Sequence, residues 1–168
     1  MHVDVTVHPF GEIDEVLTGA VRQAIEQQFR VQVTIGEKMP PPADSFSQER
    51  RQYRSTRFLD ELSKVGHDPR IRLGIAAVDL FVPELNFVFG EASSERCVAV
   101  FSIARLDLRF YGELADQKKM THRAVAEAVH ELGHVLGSAH CLRPERHVVF
   151  KHAGRNRSKG KRILQEMC

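Results

Sequence analysis

Hydrophobic and polar positions alternate at the start of the chain and then change to a helical period. HVDVTV (residues 2–7) alternates and predicts a first strand. Over residues 13–29 apolar positions recur every three or four residues, which predicts a long amphipathic helix. VQVTI (31–35) predicts a second strand. KMPPPADS (38–45) contains consecutive prolines, which lack N–H donors, and therefore predicts a surface loop.

The middle of the chain contains one more helical segment and three apolar segments. Helical spacing returns in residues 50–65 and stops before Gly66. RLGIAAVDLF (72–81) is almost continuously apolar, which is typical of a strand covered on both faces. LNFVFG (85–90) and CVAVFSIARL (97–106) predict two further strands. Because their connection is short, one of the two is expected to run antiparallel at a sheet edge.

The last long helix is predicted from Thr121, a suitable N-cap, to Gly137, a residue type that commonly ends helices. Five strands and three helices therefore indicate a mixed α/β fold. A chain of 168 residues is long enough for one domain with a real hydrophobic core, so we expect residues 1–168 to form a single domain.

Composition and cysteine usage point to an ordinary globular protein. Hydrophobic residues make up 42% of the chain and charged residues 27%, without low-complexity runs. No segment approaches the ~20 apolar residues of a membrane span, and the first residues lack a signal-peptide pattern, so a cytoplasmic location is expected. Cys97, Cys141 and Cys168 are too few and too scattered for a disulfide framework.

Charge is concentrated near the end of the chain. The net charge is +2, but residues 143–168 carry eight Lys/Arg against two Glu. Binding of nucleic acid through this basic segment is one interpretation, and a solvated surface is the favoured one because no aromatic residue interleaves with the charges. We therefore expect no nucleic-acid partner. Association with a membrane is not expected either, and the chain is expected to be a monomer.

HELGHVLGSAHC (130–141) is the segment with candidate chemistry. His130 and His134 are four residues apart, so on a helix both imidazoles reach one ion. His140 would lie ~15 Å along a straight helix from His130, so the chain must turn back before it can join them. Gly137 is the residue at which such a turn costs least. Three histidine ligands leave one zinc position open, as in catalytic sites.

Glu131 is the candidate general base of this segment. It is adjacent to His130, so its side chain projects beside the ion and not toward it. A carboxylate in that position takes the proton of a water molecule as the water attacks a carbonyl carbon. The pattern therefore indicates a zinc-dependent hydrolase.

Alternatives to this ligand set stay open. A downstream glutamate, Glu145 or Glu166, is an alternative third ligand in place of His140. A helix with incidental surface histidines is the alternative that involves no metal. His122 and His147 are expected at the surface.

The motif HExxHxxGxxH followed by Cys141 resembles the metzincin metallopeptidases, and the archaemetzincins in particular. RRQYRS, DLFVPELNFVFGEA, VAVFSIARL and RFYG are similar to archaemetzincin segments in the same order, so the resemblance covers about residues 45–141. It implies a metzincin-like fold: a twisted mixed five-stranded sheet with an antiparallel edge strand, a backing helix and an active-site helix in residues 1–137, and a small C-terminal subdomain in 138–168. It also implies a zinc peptidase whose edge strand binds the substrate peptide in extended form. For this chain we expect no prodomain, and therefore no latency through a propeptide.

The chain departs from the family after Cys141. Family members carry further cysteines that hold a second, structural zinc, and a methionine beneath the catalytic metal. Here Arg146 and Glu166 stand at cysteine positions and Val148 at the methionine position. We therefore expect one catalytic zinc per chain, with Cys141 and Cys168 as candidates for a remnant of the second site.

Two further questions stay open at this point. The C-terminal segment is held either by a Cys141–Cys168 disulfide or, as we favour, by apolar packing of Val148, Val149, Phe150, Ile163 and Leu164. The leading function is a peptidase, either an aminopeptidase or an endopeptidase. The alternative is a zinc-containing peptide-binding or regulatory protein with little turnover.

Overall fold

The computed structural model of the chain describes residues 4–66 and 70–137. Its strands and helices are β1 (Asp4–Phe10), α1 (Glu15–Phe29), β2 (Gln32–Ile35), β3 (Phe46–Ser47), β4 (Gln52–Arg54), α2 (Ser55–Lys64), β5 (Ile71–Ala76), β6 (Leu80–Phe81), β7 (Gly90–Ser93), β8 (Val98–Ser102) and α3 (Gln117–Val135). Short 3₁₀ helices span Ala43–Ser45 and Leu108–Tyr111. Within these described ranges, no helix is long and apolar enough to cross a membrane.

The main sheet has five strands in the order β2-β1-β5-β8-β7. β1, β2, β5 and β8 pair in parallel, and β7 pairs antiparallel with β8 at the edge. The predicted mixed five-stranded sheet with an antiparallel edge strand is therefore confirmed.

Helices cover both faces of this sheet. Side chains alternate between the faces along β8: Ala99 and Phe101 pack in the cluster formed with α1 and α3, whereas Val98 and Val100 pack against α2. Every residue of β5 is buried, as its almost continuously apolar sequence predicted. This arrangement holds α3, which carries the histidine motif, against β7 and β8.

Two of the predicted strands differ from the structure. The apolar segment 72–81 divides, because β5 ends at Ala76 and β6 joins a separate three-stranded sheet with β3 and β4. The prediction of a strand over 85–90 was wrong. Val88 makes an isolated bridge to Leu80, and Gly90, the last residue of the segment, is the first residue of strand β7. The aromatic rings of this segment serve packing, as the edge-to-face pair Phe87 and Phe89 shows.

The start of α3 also differs from the prediction. Thr121 is not the N-cap, because the helix begins at Gln117. The Asp116 side chain accepts a hydrogen bond of 2.9 Å from the backbone N–H of Lys119. Aspartate is as good an N-cap as threonine or better, and here it satisfies one of the free N–H groups of the first turn. The helix therefore has one more turn than expected.

Smaller corrections concern the other elements. The predicted helix 50–65 begins only at Ser55, because Gln52–Arg54 is strand β4. The predicted loop 38–45 contains a 3₁₀ turn at its end. The last predicted strand ends at Ser102. Strands of two or three residues carry too little alternation to be recognised in the sequence.

His8 is a titratable group buried within β1. Its side chain is 4% exposed, and its Nδ1–H donates to the carbonyl oxygen of Glu37 at 3.2 Å. Its Nε2 atom has no hydrogen-bond partner among the residues that the structure describes. Burial lowers the pKa of His8, and the charge of nearby Arg72 acts in the same direction.

We expect this histidine to make stability depend on pH. The pKa of His8 is lower in the folded protein than the 6.5 of an ordinary histidine. The contribution of His8 to the free energy of unfolding is therefore complete above pH 6.5 and is lost as the pH falls. The free energy of unfolding of His8→Gln, measured in urea between pH ~7.5 and ~5.5, should therefore fall less steeply than that of the parent. The exposed His122, changed to Gln, is the control; equal slopes for His8→Gln and parent would contradict the assignment.

Candidate active site

Helix α3 places its motif residues at the border between its buried and exposed faces. Its buried positions are Ala124, Glu127, Ala128, Glu131, Leu132 and Val135. The alanines, Leu132 and Val135 pack on the sheet together with α1. His130 is exposed and His134 is half-buried. The helix therefore presents two imidazoles to the outside while it buries two carboxyl groups.

The imidazoles of His130 and His134 converge. Their Nε2 atoms are 3.0 Å apart, and their rings are nearly perpendicular, with centroids at 4.4 Å. Neutral imidazole nitrogens suit zinc, and two of them aimed at one point fit two ligands of a single ion. Within residues 4–66 and 70–137, no three His, Cys, Asp or Glu side chains are grouped so that they could hold a metal ion. The predicted third ligand, His140, lies outside the described residues.

Gly137 lies just beyond the C-terminus of α3. The helix ends at Val135, Leu136 is its C-cap, and Gly137 has φ 82°, in the left-handed region. Its N–H donates to the carbonyl oxygen of His134 at 3.1 Å. Glycine enters this region without steric cost, so the residue suits the place where the chain leaves the helix. Cys141 and Cys168, like the positions of Arg146, Val148 and Glu166, lie outside the described residues.

Glu131 is buried although it is adjacent to an exposed histidine. Its side chain is 5% exposed and lies against Gly90, the first residue of edge strand β7. Burial raises the pKa of Glu131 well above its ordinary value, and the charges of Glu127 and Glu91 raise it further. This carboxyl is therefore a stronger base than a solvated glutamate.

Glu127 lies one helical turn before Glu131 and is its direct neighbour. It is 4% exposed, and the two carboxyl groups are hydrogen bonded to each other. Burial raises the pKa of Glu127 to about 7, and the hydrogen bond to Glu131 acts in the opposite direction. Two carboxyl groups in contact away from water cannot both ionise easily, so they share a proton.

Glu91 connects the edge strand to the opposite face of the sheet. Its carboxylate accepts hydrogen bonds from the hydroxyl groups of Ser55 and Thr56, in the first turn of α2. A carboxylate is favoured there because the N-terminus of a helix is electropositive. Glu91 thus connects β7 to α2, whereas Gly90, the residue before Glu91, contacts Glu131 on α3.

The histidine spacing and the adjacent glutamate were predicted from the sequence, whereas three neighbours of Glu131, namely Glu127, Gly90 and Glu91, were not predicted. Glu127 was recognisable in principle, because it stands within an apolar helical stripe four residues before Glu131. No sequence signal marks Gly90 or Glu91, since both act through contacts with elements distant in the chain.

Comparison with known proteins identifies the family of the chain. The model of peptidase family M54 matches residues 21–153. The archaemetzincin of Pyrococcus furiosus is 37% identical over 148 residues, which cover 84% of this chain and 77% of that protein. The archaemetzincin of Methanocaldococcus jannaschii is 34% identical over 141 residues, with 84% and 76% covered.

Solved structures show the same fold. A zinc-dependent peptidase from Methanocorpusculum labreanum superimposes with a TM-score of 0.74 at 25% identity, covering 84% of this chain and 85% of that one. The archaemetzincin of Archaeoglobus fulgidus, crystallised with malonate, gives a TM-score of 0.70 at 29% identity, with 83% and 82% covered.

A mixed sheet with an antiparallel edge strand, and a helix that carries two converging histidines next to a buried glutamate, define a zinc metallopeptidase. The comparisons narrow this class. The chain belongs to peptidase family M54, the archaemetzincins. The predicted family and the prediction of an enzyme are thereby confirmed.

Proposed function

We propose that the chain hydrolyses peptide bonds with Glu131 as the general base, at a single catalytic zinc held by His130, His134 and His140. The observation that carries this proposal is the convergence of two imidazoles at 3.0 Å on the helix turn that buries the Glu131 carboxyl. For His140 the support is its place in the motif. Zinc, when bound, lowers the pKa of a water molecule and polarises a carbonyl group.

The role of Glu131 is to move a proton. Its carboxylate accepts a proton from the attacking water and delivers it to the amine that leaves. Burial favours this role, because a carboxyl group with a raised pKa binds the proton more firmly during attack. Glu127 holds the carboxyl from the side of the preceding turn.

The edge strand β7 is the proposed binding site of the substrate peptide. β7 is the last strand of the main sheet and pairs on one side with β8. An extended peptide that adds to its outer side gains backbone hydrogen bonds. Because Gly90 contacts Glu131, a peptide bound there runs past the base. The predicted strand 85–90 overlaps this edge strand only at Gly90, because β7 spans Gly90–Ser93.

We expect the protein to hold one zinc ion per chain. Arg146, Val148 and Glu166 occupy family positions for the second zinc and the methionine, so a four-cysteine site is incomplete. Elemental analysis after dialysis should give one equivalent, and removal by a chelator should abolish peptide hydrolysis until zinc is restored.

Two outcomes would contradict this expectation. Two tightly bound ions per chain would show that Cys141 and Cys168 rebuild a second site with neighbouring residues. Unchanged hydrolysis of a peptide library by the chelator-treated, zinc-free protein would refute the proposed function itself.

A further inference from the structure

The edge strand and the active-site helix meet at Gly90. A Cβ atom added to this residue would lie 2.5 Å from Oε1, 2.6 Å from Cδ and 2.7 Å from Cγ of Glu131. Ordinary van der Waals contact begins at 3.4 Å, so any side chain at position 90 would displace the carboxyl by about 1 Å. The missing side chain of Gly90 therefore provides the space that the Glu131 carboxyl occupies.

The backbone at Gly90 is held in place and cannot easily shift away from Glu131. It pairs with Phe101 in β8, and the neighbouring carbonyl oxygen of Phe89 accepts a hydrogen bond of 2.7 Å from Ser102. Glu91 ties the next residue of the strand to α2. The backbone of β7 is thus held on both sides of the contact, and the carboxyl is the group that would have to move.

Glu131 also has little room to move within α3. Its side chain is buried, and its carboxyl is hydrogen bonded to Glu127 one turn earlier. The base is therefore enclosed between Glu127 on its own helix and the bare backbone of β7. Catalytic groups lose efficiency steeply when they are displaced by 1 Å, by ~10²-fold in some cases.

We infer that Gly90 is a positioning residue for peptide hydrolysis: by lacking a side chain, it lets the general base lie in contact with the strand that receives the substrate. This inference rests on the proposed function of Glu131. It concerns the placement of the base and not the binding of the peptide, because a peptide pairs through the strand's edge whereas side chains project from its faces.

The test compares Gly90→Ala with the parent on one peptide substrate. The variant should lose about tenfold or more in kcat, with KM changed by no more than about threefold and zinc content unchanged. Gly19→Ala is the matched control, since a Cβ there has nothing within 4 Å, and it should retain full activity. Parental kcat in Gly90→Ala, or a loss confined to KM, would overturn the inference.

A stability cycle tests the contact without reference to activity. In the parent, Gly90→Ala should lower Tm or leave it unchanged, whereas in Glu131→Ala, where the carboxyl is gone, the same change should raise Tm. Equal Tm shifts in both backgrounds would overturn the inference, and the cycle decides even when Gly90→Ala alone folds poorly. Full turnover by Glu131→Gln would instead refute the proposed function, which separates the two failures.

Discussion

Glu131→Gln is expected to lower kcat for peptide hydrolysis by ~10²–10⁴-fold while the protein keeps its zinc. Glutamine has the size and shape of glutamate and still forms a hydrogen bond with Glu127, but it cannot accept the proton of the attacking water. The side chain does not belong to the proposed ligand set, so its replacement leaves the metal in place. The measurements are steady-state kinetics and elemental analysis of the same preparation.

Stability should not fall in this variant. Burial raises the pKa of Glu131 in the folded chain, so its contribution to stability is present below the pKa of an unfolded glutamate and is lost as the pH rises. At pH ~8 a neutral glutamine therefore holds or raises Tm, as is common when a catalytic group under strain is removed. If Glu131→Gln loses activity while its Tm is unchanged or higher, Glu131 takes part in the reaction and is not needed for stability.

Glu113→Gln provides the matched control for this experiment. It makes the same chemical change at an exposed glutamate outside α3, and it should keep parental kinetics. Two results would refute the role of Glu131: full turnover by Glu131→Gln, or loss of zinc from that variant to the extent seen on removal of a histidine ligand.

His134→Ala is expected to abolish both zinc binding and activity. The change removes one of the two imidazoles that converge at 3.0 Å, and the remaining ligands hold the ion far more weakly. Alanine is the best helix former, so α3 itself should persist. Zinc content after dialysis and peptide hydrolysis are the measurements, with circular dichroism to confirm the helix.

His122→Ala is the control on the same helix. His122 is exposed and lies about two turns before His130, so its removal should leave one zinc per chain and full activity. Retention of one tightly bound zinc by His134→Ala would show that the ligand set is wrong. Together with Glu131→Gln, the variant separates loss of the metal from loss of the base.

The sequence determined those parts of the protein that depend on neighbours in the chain. His130, Glu131 and His134 lie within one helical turn of each other, so their spacing alone predicted two imidazoles on one face and a carboxyl beside them. The almost continuously apolar β5 was recognisable for a similar reason, because a strand buried on both faces carries few polar residues, here Arg72 alone.

Local sequence patterns could not predict the shortest strands, nor could they choose between two possible N-cap residues of α3. Strands β3, β4 and β6 have two or three residues each, and β4 pairs with β6 from a distant part of the chain. LNFVFG has the apolar composition of a strand, yet Val88 and Phe89 pack against the two core clusters and the edge strand begins only at the segment's last residue. Asp116 and Thr121 are both suitable N-cap residues, so the sequence could not decide between them. In the structure Asp116 is the N-cap.

Only the tertiary structure decided how the Glu131 carboxyl is placed. Gly90 and Glu131 are far apart in the chain, and nothing in the residues around either one indicates that they touch. The burial of Glu127 and the tie between Glu91 and α2 likewise follow from the order of strands in the sheet and from the packing of helices on its two faces. Periodicity reports which face of an element is apolar, whereas contact between elements depends on how those faces are packed together.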